Sequence, residues 1–208
     1  MILSGLIVLG NTGFANSFED NSDFGGSPPD MFGGPQAGAL APNFQLKSLD
    51  GQIVSLQDYL GKKPVVLQLG CLTCPIFRQK FPATESLRAK YSGRADFLLL
   101  YTIEAHPQGD PSPYSGSEWV TPPNEAEGIL YRQPIAESER ALIANNARIF
   151  LSIRMPILLD DMQNSVWQSY GRAPNAAYLI GSDGRIKLRQ GWFEPTEMDK
   201  ALQKELNK

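Results

Sequence analysis

Histidine and cysteine are nearly absent from this chain of 208 residues, which has only His106, Cys71 and Cys74. Two cysteines cannot build a disulfide scaffold, and a chain of this length does not need one to fold. A structural zinc site usually takes four ligands, and beyond these three side chains only carboxylates remain. Acidic and basic residues almost cancel, leaving a formal net charge of -3. That balance gives no electrostatic reason to expect nucleic acid or an anionic membrane as partner. There is no internal repeat. The apolar run Ile2 to Leu9 is interrupted by Ser4 and Gly5 and is too short to span a bilayer.

That run is followed by Gly13-Phe-Ala15, a small-x-small pattern, so residues 1–15 read as a secretory signal, although no Lys or Arg precedes them. A disordered terminus or a misplaced start codon is the alternative. Export to a periplasmic or other extracytoplasmic space is thus the first expectation for localisation, and the cytoplasm the second; no transmembrane anchor is expected. Residues 16–40 are rich in Gly, Pro, Asp and Asn and read as a disordered linker that cannot bury enough surface to fold. Residues 41–208 suffice for one domain with a sizeable core.

Within that domain, Ala41 to Leu46 and Leu49 to Leu56 flank an Asp50-Gly51 turn and predict a pair of short strands. Val65 to Leu69 is continuously apolar, as suits a strand buried on both faces. Pro75 fits the first turn of a following helix, with Phe77 and Phe81 on its apolar face and Pro82 as a kink. Phe97 to Ile103 predicts the next core strand. A helix over 136–153, with Ala141, Leu142, Ala144, Ile149 and Phe150 as its apolar positions, follows a long loop. Then come a short strand (156–159), a short helix (165–170), a hairpin (176–189) and a terminal helix (197–206). Strands alternating with helices before a late hairpin predict an α/β fold, a mixed central sheet with helices on both faces.

The chemistry concentrates at Cys71-Leu-Thr-Cys74-Pro75, between the buried strand and the helix. A C-x-x-C pair in such a place points to redox use. Cys74 at the helix start would face unpaired N–H groups and the positive end of the dipole, which favour the reactive thiolate. Cys71 could then resolve an oxidised Cys74 as a disulfide; its bland reading is a small buried core residue. Arg78, four residues on from Cys74, could lie above the same face and add a positive charge, but reads rather as a solvated surface residue. Glu104 and His106 end the neighbouring strand two residues apart, a spacing that places them on one face, with His106 as general acid or base and Glu104 orienting it. The loop 107–134 carries Tyr114, Trp119 and Tyr131, which either line a pocket for a flat apolar substrate or pack the loop down.

These residues resemble a known family. Thr73-Cys74-Pro75-Ile76-Phe77 is similar to the iodothyronine deiodinase motif, in which selenocysteine precedes Pro-x-Phe. Glu104-Ala-His106-Pro107 matches that family's E-A-H-P element, and Trp119 its following Trp. Ser138-Glu-Arg140, Leu158 to Asn164, Tyr170-Gly171 and Tyr178-Leu-Ile180 are similar to its C-terminal half. The resemblance implies a thioredoxin-like fold with a peroxiredoxin-type N-terminal extension, a nucleophile at Cys74, and proton transfer by Glu104 and His106. It also places Pro174 where such folds often carry a cis proline facing the cysteine, and so among the substrate-binding candidates with Trp119, Tyr114 and Tyr131.

The chain departs from the pattern in three places. Cysteine replaces selenocysteine, Pro134 after Gln133 stands where the family has a second His, and the loop between His106 and Trp119 is longer. The functional expectation is a deiodinase-like thiol oxidoreductase acting reductively on a disulfide or a halogenated aromatic substrate. It would need no cofactor, with an external thiol or thioredoxin as reductant; a homodimer is compatible with it. The alternatives are a peroxiredoxin-like peroxidase using the same Cys74, and a non-catalytic ligand-binding module of the same fold.

Overall fold

The structure is a computed structural model that describes residues 33–208. The expected signal segment therefore lies outside the described residues, as does most of the expected linker. One mixed sheet of seven strands runs in the order β2-β1-β5-β4-β3-β6-β7. Its strands are β1 (Gln45–Ser48), β2 (Ile53–Ser55), β3 (Val65–Gly70), β4 (Asp96–Tyr101), β5 (Ile157–Leu159), β6 (Ala177–Ile180) and β7 (Ile186–Gln190). The helices are α1 (Pro75–Lys90), α2 (Pro122–Glu127), α3 (Glu137–Phe150), α4 (Ser165–Ser169) and α5 (Pro195–Leu206). Strands β3, β4 and β5 are parallel neighbours, whereas β6 joins β3 antiparallel. No helix among the described residues is long and apolar enough to cross a membrane.

Successive side chains of a strand point to opposite faces, and the two core clusters divide the sheet accordingly. Val66, Phe97, Leu99, Tyr101 and Leu179 face a layer made by α1, α3 and α5. Their neighbours Val65, Leu67, Leu69, Leu98, Leu100 and Tyr178 face α4, Phe44 and Tyr170 on the other side. β3 is therefore buried along its whole length, as its unbroken apolar character requires. Phe77 and Phe81 seat α1 on the first face, each fully buried and contributing up to about 3 kcal/mol.

Three expectations about the fold are corrected. The linker does not extend to residue 40: Gly38 N–H donates to Ile186 O at 2.8 Å, Ile186 N–H to Ala39 O at 2.9 Å and Ala41 N–H to Gly184 O at 2.9 Å, so residues 38–41 are fastened to the start of β7 and the turn before it. The loop 107–134 contains α2, with Pro at its start and Gly128 in the left-handed conformation at its end. Helix α3 buries Arg140, Ile143, Ala144 and Ala147, while Leu142 (61%), Ile149 (70%) and Phe150 (54%) are exposed. The i, i+3, i+4, i+7 stripe begins at an arginine, which hides it from a hydrophobic pattern. Arg140 earns its burial by donating to Asp160 O at 2.8 Å and Asn164 Oδ1 at 2.7 Å.

Candidate active site

Parallel pairing of β3 with β4 sets Gly70 opposite Tyr101. The segments leaving those residues, 71–74 and 102–106, therefore emerge side by side at the carboxyl end of the sheet. Gly70 has no side chain because the Phe77 ring lies on its backbone, and a Cβ there would overlap that ring. This contact brings α1 close under the strand end and makes Cys74 the residue that caps it.

The two segments are joined by hydrogen bonds. Thr102 N–H donates to Gly70 O at 3.0 Å, and Leu72 N–H to Tyr101 Oη at 3.0 Å. Ala105 N–H donates to Cys71 Sγ at 3.2 Å, and His106 N–H to Thr73 Oγ1 at 3.1 Å. Glu104 is fully buried at the centre, where its carboxylate accepts from Thr73 N–H (2.9 Å), Thr73 Oγ1–H (2.7 Å) and Tyr101 Oη–H (2.5 Å). Burial raises its pKa, against the lowering by these donors. Gln133, two chain segments away, clasps the Glu104 peptide: its Oε1 accepts from Glu104 N–H at 3.1 Å and its Nε2 donates to Glu104 O at 2.6 Å.

Glu104 does not orient His106 through its carboxylate, contrary to the expectation from their spacing. The segment 102–106 is not a strand, because β4 ends at Tyr101, so the two side chains need not share a face. Instead His106 Nδ1 lies 3.1 Å from Trp119 O. A carbonyl only accepts, so Nδ1 carries the proton and Nε2 is the basic nitrogen. Burial lowers the His106 pKa to about 4, with the Arg78 charge acting in the same sense, so the imidazole is neutral at pH 7. The Trp119 ring meets it edge-on, with centroids 4.3 Å apart.

Both cysteines are free thiols and buried. Cys74 Sγ accepts the Phe77 N–H at 3.4 Å, as a helix cap should. The helix start and the Arg78 charge lower its pKa as expected, but full burial outweighs them and pushes it up to about 11. The expected thiolate is therefore a thiol at pH 7 in this structure. Burial and the adjacent Glu104 raise Cys71 well above the usual thiol range.

Arg78 is not solvated. It is buried; its Nη1 donates to Leu72 O at 2.7 Å and its Nε to Glu127 of α2 at 3.0 Å. Helix α2 contributes a second clamp, Asn124 Nδ2 donating to Thr73 O at 2.9 Å. Asn124 and Gln133 were not legible as site residues, since each reaches the site across many residues of sequence, whereas Thr73 and Tyr101 lie close to the named residues and only their bonds to Glu104 were hidden.

The aromatic candidates separate. Trp119 stands against His106, whereas Tyr114 packs against both core clusters and meets Trp167 edge-on at 6.3 Å. Tyr131 lines a groove of about 300 Å³ with Leu72, Glu127, Ile129, Asn146 and Phe150, and Asn146 Nδ2 donates to its hydroxyl at 3.1 Å. Pro174 is buried ahead of β6, but there is no cis peptide among the described residues, so the expected cis proline is trans here.

Comparison with known proteins agrees with this geometry. The type I iodothyronine deiodinase of Xenopus laevis is 28% identical over 172 residues, which span 80% of this chain and 63% of that protein. The human thyroxine 5-deiodinase is 32% identical over 171 residues, 80% of this chain and 51% of that protein. The chain thus spans roughly half to two thirds of the length of these relatives. Among solved structures, an uncharacterized conserved protein from Geobacillus kaustophilus superimposes with a TM-score of 0.61 at 16% identity, over 87% of this chain and 86% of that one. A thiol:disulfide interchange protein from Bacteroides sp. gives 0.59 at 15% identity, over 83% and 91%. These likenesses establish the thioredoxin-like fold. The family model for iodothyronine deiodinase matches residues 26–204 from end to end of the site just described, and the chain belongs to that family.

Proposed function

We propose that the chain is a thiol-based oxidoreductase in which Cys74 is the nucleophile and Cys71 resolves it. The observation that carries this reading is the cap of α1: Cys74 Sγ receives the Phe77 N–H and feels the Arg78 charge, with Cys71 one turn away in the same loop. Its substrate is a disulfide or a halogenated aromatic compound, the latter in keeping with the iodothyronine and thyroxine named for its relatives. With a disulfide, the Cys74 thiolate forms a mixed disulfide and expels the other sulfur as a thiol. With an aryl halide, sulfur takes the halogen, the ring carbon keeps the bonding pair and gains a proton, and the aryl compound is reduced. Attack by the Cys71 thiolate then forms the Cys71–Cys74 disulfide and releases the thiol or halide. An external thiol or thioredoxin returns both cysteines to the reduced state, so no cofactor is needed.

His106 Nε2 is the acceptor for the Cys74 proton, since its other nitrogen is committed to Trp119. Glu104 acts as a positioning residue, holding Thr73 and hence the loop between the cysteines. The run Ile2 to Leu9 and Gly13-Phe-Ala15 support export. The decisive variant is Cys71→Ser. It should leave the first half-reaction intact and let oxidised or mixed-disulfide Cys74 accumulate. Thioredoxin-driven turnover should fall sharply and be largely restored by concentrated dithiothreitol. Normal turnover of this variant with thioredoxin would replace the resolving role of Cys71 by direct attack of an external thiol.

A further inference from the structure

Both sulfurs of the site are shut off from solvent, Cys71 at 0% and Cys74 at 1% exposure, so neither can meet a substrate as the chain stands. An element must move, and the best placed is Pro111 to Glu118, in the stretch between His106 and Trp119 where this chain has extra length. Its two roots are held. Asp110 at one end accepts the Gln133 N–H at 3.0 Å and pairs with Arg132 at 3.2 Å. At the other end Trp119 O accepts from His106 Nδ1–H at 3.1 Å. Across the base, Gly109 N–H donates to Glu118 Oε1 at 2.6 Å. Between the roots the loop bonds mostly to itself: Ser112 N–H donates to Ser117 O and Gly116 N–H to Ser112 O, both at 2.9 Å. Residues 115–118 are exposed, and Gly116, left-handed with open space around it, lets the chain double back. A compact loop closed by its own bonds between fixed ends can swing as a unit.

Ser112 and Tyr114 fasten this loop down beside the thiols. The Ser112 hydroxyl donates to Ala105 O at 2.7 Å, and the N–H of the same Ala105 is the one that Cys71 Sγ receives at 3.2 Å. Tyr114 is half-buried as a residue, but its hydroxyl oxygen is buried. Its ring packs on the core cluster that contains both cysteines and meets Trp167 edge-on. Burial raises the pKa of that hydroxyl, and Cys71 and Cys74 raise it further, which puts the phenol within electrostatic reach of both sulfurs. Burial is also what keeps Cys74 a thiol. Once it is relieved, the Phe77 N–H and the Arg78 charge are left to favour the thiolate. Lifting the loop would expose the sulfur and activate it in one movement.

We propose that residues 111–118 are a lid over Cys71 and Cys74, that Tyr114 is the latch deciding access to them, and that substrate reaches Cys74 only when the lid lifts. The inference rests on Cys74 as nucleophile and adds a gate to the same site. Opening breaks the Ser112 bond to Ala105 and withdraws one aromatic side chain, while Asp110 and Trp119 keep their partners. Such a local opening takes a small part of the free energy of global unfolding.

The test follows iodoacetamide labelling of each cysteine in the reduced full-length protein by peptide mass spectrometry. Tyr114→Ala should label both sulfurs at least about tenfold faster than wild type, since truncating a packed aromatic ring weakens the closed position. Tyr114→Phe keeps the ring and should stay within about threefold of wild type. Leu202→Ala, which truncates a fully buried side chain of α5, controls for lost stability. An equal gain in Leu202→Ala and Tyr114→Ala would overturn the lid, as would no gain in the latter. Wild type alone supplies a second test should Tyr114→Ala fail to fold. Local opening exposes little surface, so its labelling should hardly change with urea below the unfolding transition. A rate that climbs with the full slope of global unfolding from the first addition of urea would overturn the proposal. Faster labelling of both sulfurs in Tyr114→Ala, with Cys71 ahead of Cys74, would keep the lid and remove Cys74 as the nucleophile.

Discussion

Thr73→Val keeps the shape of the residue between the cysteines and deletes one oxygen. That oxygen donates to Glu104 at 2.7 Å and accepts the His106 N–H at 3.1 Å. The first is a hydrogen bond to a buried carboxylate, worth roughly 1.5–3 kcal/mol, and the second leaves a buried N–H without that partner, at roughly 1–3 kcal/mol. Together they predict a loss of about 3 kcal/mol, or a fall in melting temperature of about 6–12 °C for a domain of this size. The pH dependence gives a sharper test. Burial already raises the folded pKa of Glu104, so the folded state binds more protons than the unfolded, and its stability falls as pH rises from the unfolded to the folded pKa. Removing a donor raises the folded pKa further, so the deficit of Thr73→Val should be larger at pH 8 than at pH 5. Calorimetry at both pH values measures it. A variant that melts within about 2 °C of wild type at pH 8 would refute the idea that Thr73 carries the Glu104 network.

The remaining predictions concern the thiol and the imidazole. With a pKa pushed up to about 11, Cys74 should alkylate at pH 7 about 300-fold more slowly than a free thiol of pKa near 8.5. Its rate should climb about tenfold per pH unit through pH 9, and a plateau already reached near pH 7 would show that the sulfur reacts from an open, solvated state. His106→Asn should slow turnover by roughly 100-fold with little effect on melting at pH 7. Because the His106 pKa is lowered to about 4, the unfolded state binds the extra proton first, and wild-type stability should fall as pH drops from about 6.5 towards 4. His106→Asn should flatten that slope, as acid denaturation followed by fluorescence would report.

What the sequence revealed and concealed divides along physical lines. The strand Val65 to Leu69 and the Pro75 helix start are local signals, and they placed Cys71 and Cys74 correctly between β3 and α1. Helix α2 had a local signal as well, Thr121-Pro122-Pro123 at one end and Gly128 at the other, obscured by the proline-rich loop around it. Arg78 and Arg140 could not be read as buried, because their burial depends on carbonyls brought close by the fold: Leu72 O for one, Asp160 O for the other. The pairing of Glu104 with His106 failed for a related reason. A spacing of two means a shared face only while the chain is extended, and here β4 has ended first. The charge on Cys74 was argued from the helix start and from Arg78, which gave the sign of those contributions but not the depth of burial that opposes them.

The register of β3 against β4 works as a ruler for this site. Cys71 and Glu104 belong to different stretches of chain, yet their separation is fixed by the pairing of Gly70 with Tyr101 rather than by any bond between the two side chains. A parallel pair buried on both faces cannot slide by one residue without turning its whole apolar set over. Loop residues between Pro107 and Thr121 can therefore be gained or lost without altering the distance from Cys71 to Glu104. A single insertion before Tyr101 would instead carry the acid, the imidazole and the Ala105 N–H away from the sulfur together.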